Sequence, residues 1–157
     1  MLTKKIFFLL LLCSTSTFAQ STVNWLSFEQ LETALQQENK PVLLFFYADW
    51  CAYCKKMEQN AFKNKEVVEQ LNHNFYAVKM NAETTEPITF EGTTFYNDEI
   101  EIKRNPTHQL AKLLASRKDK PFTLPAILLL DENFKLINRK FTYLTSSQLI
   151  DFIKYKR

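Results

Sequence analysis

The feature that most constrains this chain is a continuous apolar run that is followed closely by two cysteines. The run occupies residues 42–46, and Cys51 and Cys54 come just after it. A run that is apolar at every position is typical of a central strand covered on both faces, whereas the segment after Cys51 has helical spacing. The cysteines therefore lie at a strand-to-helix junction, where Cys-x-x-Cys spacing predicts a redox dithiol. We expect the rest of the fold to hold this dithiol at the amino end of a helix.

Residues 1–19 are expected to form a secretory signal peptide. They have a basic start, an apolar stretch over residues 6–12 and a small residue, Ala19, at the expected cleavage site. The apolar stretch is too short to span a bilayer as a stable helix. Two alternatives stay open. One is an uncleaved anchor, and the other is a lipoprotein acylated on Cys13, which is less favoured because Leu12 stands where a small residue is needed.

Cleavage after Ala19 has consequences for chemistry and for charge. It would remove Cys13, so Cys51 and Cys54 would be the only cysteines of the mature protein. The whole chain has 20 Lys and Arg against 17 Asp and Glu, and two of its lysines lie in the signal. A mature charge this close to zero offers no case for nucleic acid or an anionic membrane as a partner. Export would give the dithiol an oxidising periplasmic or secreted setting, without stable membrane insertion after cleavage.

The remainder of the chain, residues 20–157, reads as one domain, because it contains no repeats, low-complexity tracts or linkers. The predicted elements are, in order, a strand at 22–25, a helix capped by Ser27, a strand at 42–47, a helix at 52–62, a helical section from Asn64 to 71, a strand at 75–80, a hairpin at 86–90 and 93–96, a helix from 105, strands at 126–130 and 134–141, and a helix capped by Thr145. Parallel strands joined by helices and closed by a hairpin and a helix predict an α/β sandwich.

Two local features give sharper expectations. Gly92 is the only glycine of the chain, so we expect it at a position with positive φ in the hairpin. Pro106 is expected in the first turn of the helix that follows, with Leu110, Leu113 and Leu114 on the inner face of that helix.

Five short segments allow a comparison with known folds. They are Tyr47-Ala48-Asp49-Trp50-Cys51, Cys54-Lys55, Met57-Glu58, Val78-Lys79-Met80-Asn81 and Leu124-Pro125. Together with the order of elements, they resemble the thioredoxin superfamily, in particular the C-terminal thioredoxin-like domain of bacterial transmembrane disulfide reductases and related small exported proteins. The resemblance implies a thioredoxin-like fold, with a central mixed sheet flanked by helices and a hairpin-containing insert at about 82–104 before a cis-Pro strand.

Thiol–disulfide exchange needs a thiolate that attacks and a second thiol that resolves the mixed disulfide. The first cysteine of the pair lies at the exposed end of the helix, where unpaired N–H groups and the helix dipole stabilise negative charge. We therefore expect Cys51 to be the nucleophile and Cys54 the resolving thiol. The resemblance implies an enzyme of the protein-disulfide reductase type, with a protein disulfide as substrate, an upstream thiol as electron donor, and neither cofactor nor metal.

The resemblance also implies a substrate-binding surface and two departures from the family. Pro125 would be a cis-proline beside the cysteines, Leu124 would present its backbone to an extended substrate, and Trp50 would line the rim. The family often has a buried acid six positions before the first cysteine, where this chain has Phe45. Lys79 matches a lysine that neighbours this acid, so we expect it to lack its usual partner.

The sequence allows three other interpretations of the cysteines. A zinc site needs four ligands, and only His73 and His108 could add to the pair, although each is expected at the surface. A purely structural disulfide would close too small a loop to constrain the chain much. A binding module on a thioredoxin frame, with the insert at 82–104 as its recognition element and redox activity secondary, is the main alternative function.

Overall fold

The structure, a computed structural model, describes residues 22–154. The signal peptide, its cleavage at Ala19 and Cys13 lie outside the described residues. The elements are β1 (Trp25–Leu26), α1 (Phe28–Gln37), β2 (Val42–Tyr47), α2 (Ala52–Gln59), a 3₁₀ turn (Ala61–Lys63), α3 (Lys65–Asn74), β3 (Tyr76–Asn81), β4 (Ile88–Phe90), β5 (Thr93–Phe95), α4 (Gln109–Ala115), β6 (Ala126–Leu130), β7 (Leu136–Lys140) and α5 (Ser146–Ile153).

The central sheet has five strands in the order β1-β3-β2-β6-β7. β3 runs parallel to both β1 and β2, whereas β6 is antiparallel to β2 and β7 is antiparallel to β6. The predicted mixed sheet flanked by helices is therefore confirmed. β2 lies in the middle, as its uninterrupted apolar sequence indicated.

Alternate residues of β2 enter two separate cores, because successive side chains of a strand point to opposite faces. Leu43 and Phe45 belong to the core formed with α2, α3 and α5. Val42, Leu44 and Phe46 belong to the core formed with α1, α4 and the β4–β5 hairpin. All five side chains are at most 1% exposed, so the strand is covered on both faces.

The helix starts follow local capping rules. Ser27 and Thr145 form the two predicted capping boxes, and the Asn64 side chain accepts a hydrogen bond from the N–H of Val67 at the start of α3. The predicted helix at 52–62 is wrong at its end, because α2 stops at Gln59. Asn60 leaves the helical region (φ −120°, ψ −71°) and its side-chain amide donates to the carbonyl of Lys56, competing with helix continuation.

α4 begins later than the sequence suggested. Its first helical residue is Gln109, and Pro106 precedes the helix. Leu113 is 67% exposed, so its prediction as an inner-face residue is wrong, whereas Leu110 is fully buried. The face that packs in the core carries Leu110 and two buried alanines at positions 111 and 115.

His108 is buried, and its prediction as a surface residue is wrong. Its backbone N–H donates to the carbonyl of Ala82, and its Nδ1 accepts from the N–H of Leu110 as the N-cap of α4. Burial lowers the pKa of His108, so the imidazole is neutral at pH 7. This histidine joins the two ends of the insert instead of facing solvent.

The first half of the insert is the β4–β5 hairpin. Glu91 and Gly92 form its tip with φ of +49° and +70°, so the glycine occupies a left-handed position as predicted. Phe90 is buried, and its ring centroid lies 5.2 Å from that of Phe28 and 5.4 Å from that of Phe134. The hairpin therefore covers part of the hydrophobic core.

The second half of the insert is organised around the buried carboxylate of Glu99. Lys103 and Lys112 donate to its Oε1 at 2.6 and 3.2 Å, and the N–H of Thr107 donates to its Oε2 at 3.0 Å. The hydrogen bond from Lys103 is the main cause that lowers the pKa of Glu99 to about 2. These contacts join the insert to α4 through Lys112.

Among residues 22–154, no helix combines the length and the apolar character that crossing a membrane requires.

Candidate active site

Cys51 and Cys54 form a disulfide at the start of α2, with an S–S distance of 2.08 Å and Cα atoms 5.2 Å apart. Cys51 is the N-cap residue, and its Sγ accepts a hydrogen bond from the N–H of Cys54 at 3.2 Å. The N–H of Cys51 donates to the carbonyl of Ala48 at 3.0 Å. The Cys51 sulfur thus lies where the unpaired N–H groups of the helix converge.

The disulfide is more covered than the sequence suggested. Cys51 was expected at the exposed end of the helix but is only 3% exposed, and Cys54 is fully buried. The two large aromatic residues next to the cysteines are instead exposed, Trp50 by 58% and Tyr53 by 62%. An approaching group therefore meets these rings first and reaches Cys51 before Cys54.

Three chain segments meet at the end of β2 that leads to the cysteines. Tyr47 is in register with Asn81 of β3, and Phe46 is in register with Ala126 of β6. The N–H of Ala82 donates to the carbonyl of Tyr47 at 2.7 Å. The cysteine loop, the start of the insert and the segment before β6 are therefore neighbours.

The Leu124–Pro125 peptide bond, just before β6, is cis. Pro125 is buried, and Leu124 is half-buried between the two cores. Because Ala126 pairs with Phe46, this bond lies at the same end of the sheet as the cysteine loop.

Arg117 holds the loop that leads to this cis bond, and sequence reasoning missed it. Its Nη2 donates to Thr123 Oγ1 at 2.8 Å and to the carbonyl of Pro121 at 3.2 Å. Its guanidinium carbon lies 3.9 Å from the ring centroid of Phe141, which supplies a cation–π contact. No local sequence motif marks Arg117, because all of its partners come from tertiary or loop geometry.

The Trp50 side chain is fixed by the start of the insert. Its Nε1 donates to Glu83 Oε1 at 2.9 Å, and the N–H of Glu83 donates to Asn81 Oδ1 at 2.9 Å. A cavity of about 250 Å³ opens beside Trp50 and Glu83 and extends to Leu124. The sequence pointed to Trp50 and Leu124 but gave no sign of Glu83.

The environment of Phe45 shows which acid Lys79 contacts in place of the usual one. Phe45 is fully buried in the same core as the two cysteines, and it is in register with Lys79. Lys79 lacks the usual acid at position 45, as expected, and its ammonium instead forms an ion pair with Glu58 and lies 4.4 Å from the ring centroid of Tyr47. Glu58 belongs to α2 and Lys79 to β3, so only the fold brings this pair together.

A second aromatic residue flanks the active-site helix on the side of α5. The ring centroid of Tyr143 lies 6.1 Å from that of Tyr53 and 5.0 Å from the Lys56 ammonium. Tyr143 comes from the segment just before the Thr145 cap, so the sequence alone did not connect it with the cysteines. It extends the aromatic surface around the disulfide.

The zinc interpretation finds no arrangement in residues 22–154, where no group of three or more His, Cys, Asp and Glu side chains could hold a metal ion. His73 is exposed with its Nδ1 2.8 Å from the carbonyl of Glu69, and His108 is buried at the N-cap of α4.

Comparisons with known proteins agree with this geometry. The sequence pattern of a family described as a thioredoxin-like domain matches residues 28–157. The thiol:disulfide interchange protein DsbD of Haemophilus ducreyi is 28% identical over 149 residues, which cover 89% of this chain and 22% of that protein. The chain spans between 7% and 22% of the length of the curated relatives that it matches.

Two solved structures show the same fold. The DsbH oxidoreductase has a TM-score of 0.57 and 21% identity, with 91% of this chain and 90% of that chain covered. The oxidised C-terminal domain of DsbD from Neisseria meningitidis has a TM-score of 0.51 and 22% identity, with 78% of this chain and 85% of that chain covered.

Proposed function

The chain belongs to the thioredoxin-like domain family, and from this premise we propose that it is a thiol–disulfide oxidoreductase acting on disulfides of other proteins. The observation that carries the proposal is the Cys51–Cys54 disulfide at the N-cap of α2, beside the cis Leu124–Pro125 bond. A relative named as a thiol:disulfide interchange protein supports the same reaction class.

In the reducing direction, the Cys51 thiolate attacks one sulfur of the substrate disulfide. A mixed disulfide forms and one substrate thiolate leaves. Cys54 then loses its proton and attacks the Cys51 sulfur, which closes the Cys51–Cys54 disulfide and releases the second substrate thiolate. The substrate gains two electrons, and an upstream thiol donor must return two electrons to the protein. Oxidation of a substrate follows the same steps in reverse.

The assignment of Cys51 as nucleophile rests on its position at the helix start. The N–H of Cys54 already donates to the Cys51 sulfur in the disulfide, and the positive end of the α2 dipole favours the thiolate. Cys51 is also the more exposed of the two cysteines, because 3% of it is exposed whereas Cys54 is fully buried. In the same proposal Trp50, Leu124 and Pro125 bind the substrate segment.

We further propose that the protein is exported and works as a reductase in the periplasm or as a secreted protein. Export is supported by the predicted signal over residues 1–19, followed by a domain over 20–157. The reducing direction is supported by the resemblance of the cysteine loop to the C-terminal domains of disulfide reductases. The partners are then a protein disulfide and an upstream thiol electron donor.

The test is the equilibrium of the purified exported protein with glutathione buffers, combined with insulin reduction. Intact mass reports whether cleavage occurred after Ala19, and alkylation reports the fraction of Cys51 and Cys54 in the dithiol form. A potential close to that of thioredoxin, about −270 mV, would support a reductase, whereas one near −120 mV would indicate an oxidase. Equal labelling of both thiols in an oxidising buffer would rule out a redox couple.

Matched cysteine variants separate the two roles in the same assay. Cys54→Ser is expected to accumulate mixed disulfides with the substrate through Cys51, because the resolving thiol is missing. Cys51→Ser is expected to accumulate none, since Cys54 is fully buried. The opposite pattern would reverse the assignment.

A further inference from the structure

The cavity beside Trp50 has walls from three parts of the chain. Trp50 comes from the cysteine loop, Glu83 and Asn105 from the insert and its end, and Phe122 and Leu124 from the loop before the cis bond. Its volume of about 250 Å³ lies below the range of about 300–1,000 Å³ that is typical of small-molecule sites. The size therefore suits a single side chain of a bound polypeptide.

The charge in this cavity is unbalanced. Glu83 is the only charged residue of the lining, and the other lining residues are aromatic, aliphatic or neutral polar. Among residues 22–154, the Glu83 carboxylate accepts one hydrogen bond, from Trp50, and has no ion pair. Its second oxygen is thus left without a partner on a half-buried side chain. A carboxylate in a cavity that Trp50 and Phe122 also line favours a cation, because ring faces also attract positive charge.

The position of the cavity connects it with the proposed reaction. Trp50 directly precedes Cys51, and Leu124 directly precedes the cis-proline. Both lie at the same end of the sheet. A polypeptide whose disulfide reaches Cys51 between these two residues has neighbouring side chains at the mouth of the cavity.

Resting on the proposed function, we propose that this cavity is a specificity subsite that accepts a lysine or arginine side chain next to the substrate disulfide. The cationic head pairs with Glu83, and the aliphatic stem packs against Trp50 and Phe122. The insert contributes to substrate choice because it supplies Glu83.

The test uses synthetic peptides that contain one disulfide and differ at a single position near a cysteine, occupied by Lys, Gln or Glu. We expect kcat/KM for the Lys peptide to exceed that for the Gln peptide about fivefold, the scale of a partly exposed ion pair, with the Glu peptide the slowest. The difference should appear in KM and decrease with added salt.

Glu83→Gln is expected to abolish the preference for the Lys peptide over the Gln peptide, because it removes the negative charge of the cavity. Gln keeps a carbonyl oxygen that accepts from Trp50 Nε1, so the indole keeps its position, and Trp50 fluorescence checks this. Asn105→Lys introduces a cation into the cavity without altering Glu83 and should also abolish the preference. Glu101→Gln is the matched control, because it removes the same charge from an exposed residue outside the cavity.

The outcomes separate the two proposals. If no peptide is reduced, the proposed function fails. If all peptides are reduced at equal rates, or if Glu101→Gln lowers the preference as much as Glu83→Gln, the oxidoreductase stands and the subsite is overturned.

Discussion

At the residue scale, Phe45 has the clearest chemical consequence, because it stands where the family that the chain resembles often has a buried acid. The ring lies in the same core as the disulfide, and its neighbour in register, Lys79, is engaged by Glu58. The position that would supply a proton acceptor for Cys54 is therefore apolar. We therefore expect proton transfer during resolution to depend more on water or on solution buffer.

We predict that Phe45→Asp reduces this dependence on buffer. In the natural protein, the rate of mixed-disulfide resolution should rise with buffer concentration at constant pH. A carboxylate at position 45, beside Lys79, should supply the base and flatten this response, at a cost in stability because a charged group is buried. Stopped-flow kinetics over a buffer series measure both effects. Phe45→Asn is the matched control, and equal buffer responses in Asp and Asn variants would contradict the prediction.

At the element scale, the insert consists of two halves held by different forces. The hairpin is held by apolar packing of Phe90, whereas the second half is held by the hydrogen bonds and ion pairs of Glu99. The start of the insert is tied to the N-cap of α4, where the N–H of His108 donates to the carbonyl of Ala82. Because only the second half depends on a charged carboxylate, the two halves should respond differently to pH.

We predict that Glu99→Gln lowers the free energy of unfolding only at higher pH. The folded protein lowers the pKa of Glu99 from 4.5 to about 2, so this carboxylate stabilises the fold above pH 4.5 and loses its contribution as the pH falls towards 2. Urea titrations of the natural protein and the variant should differ above pH 4.5 and converge close to pH 2. Glu101→Gln should show no such convergence, and a difference that is constant with pH would contradict the role of the charge.

Sequence reasoning succeeded for elements whose determinants are local. The β2 run, the capping boxes at Ser27 and Thr145 and the glycine at position 92 each follow from a few neighbouring residues. It failed at His108, because this buried residue is tied through its backbone to Ala82, on the other side of the insert.

The candidate site divides in the same way. Its cysteines, Trp50 and Leu124-Pro125 were predicted from short motifs and the resemblance that they carry, and the structure brings them to one end of the sheet. Glu83, Arg117 and Tyr143 were missed, because only the fold brings them to the other site residues.

At the scale of the whole molecule, the insert is part of the domain and not an appendage. The buried ring of Phe90 packs against Phe28 of α1 and Phe134 of the β6–β7 turn. Deleting residues 82–104 would therefore open the core under α1, and loss of activity in such a deletion would not identify a recognition element. Point substitutions test the insert more cleanly.

We predict that Phe90→Ala lowers the free energy of unfolding by about 3 kcal/mol, because it leaves a cavity in the core. Unfolding should still follow one transition by tryptophan fluorescence and by circular dichroism, since the hairpin belongs to the cooperative unit. Tyr96→Ala, at a position 56% exposed, should change stability by no more than about 0.5 kcal/mol. Equal effects of the two substitutions would show that the hairpin folds apart from the sheet.

The burial of the disulfide should affect which partners exchange thiols with it fastest. A sulfur pair with 3% and no exposure collides rarely with small thiols and oxidants, whereas a docked polypeptide brings its own sulfur to Cys51. We therefore expect the rate of thiol–disulfide exchange with partner proteins to exceed the rate of exchange with glutathione. Slow exchange with small oxidants would let the protein stay reduced in oxidising surroundings, provided that its thiol donor reduces it faster than they oxidise it.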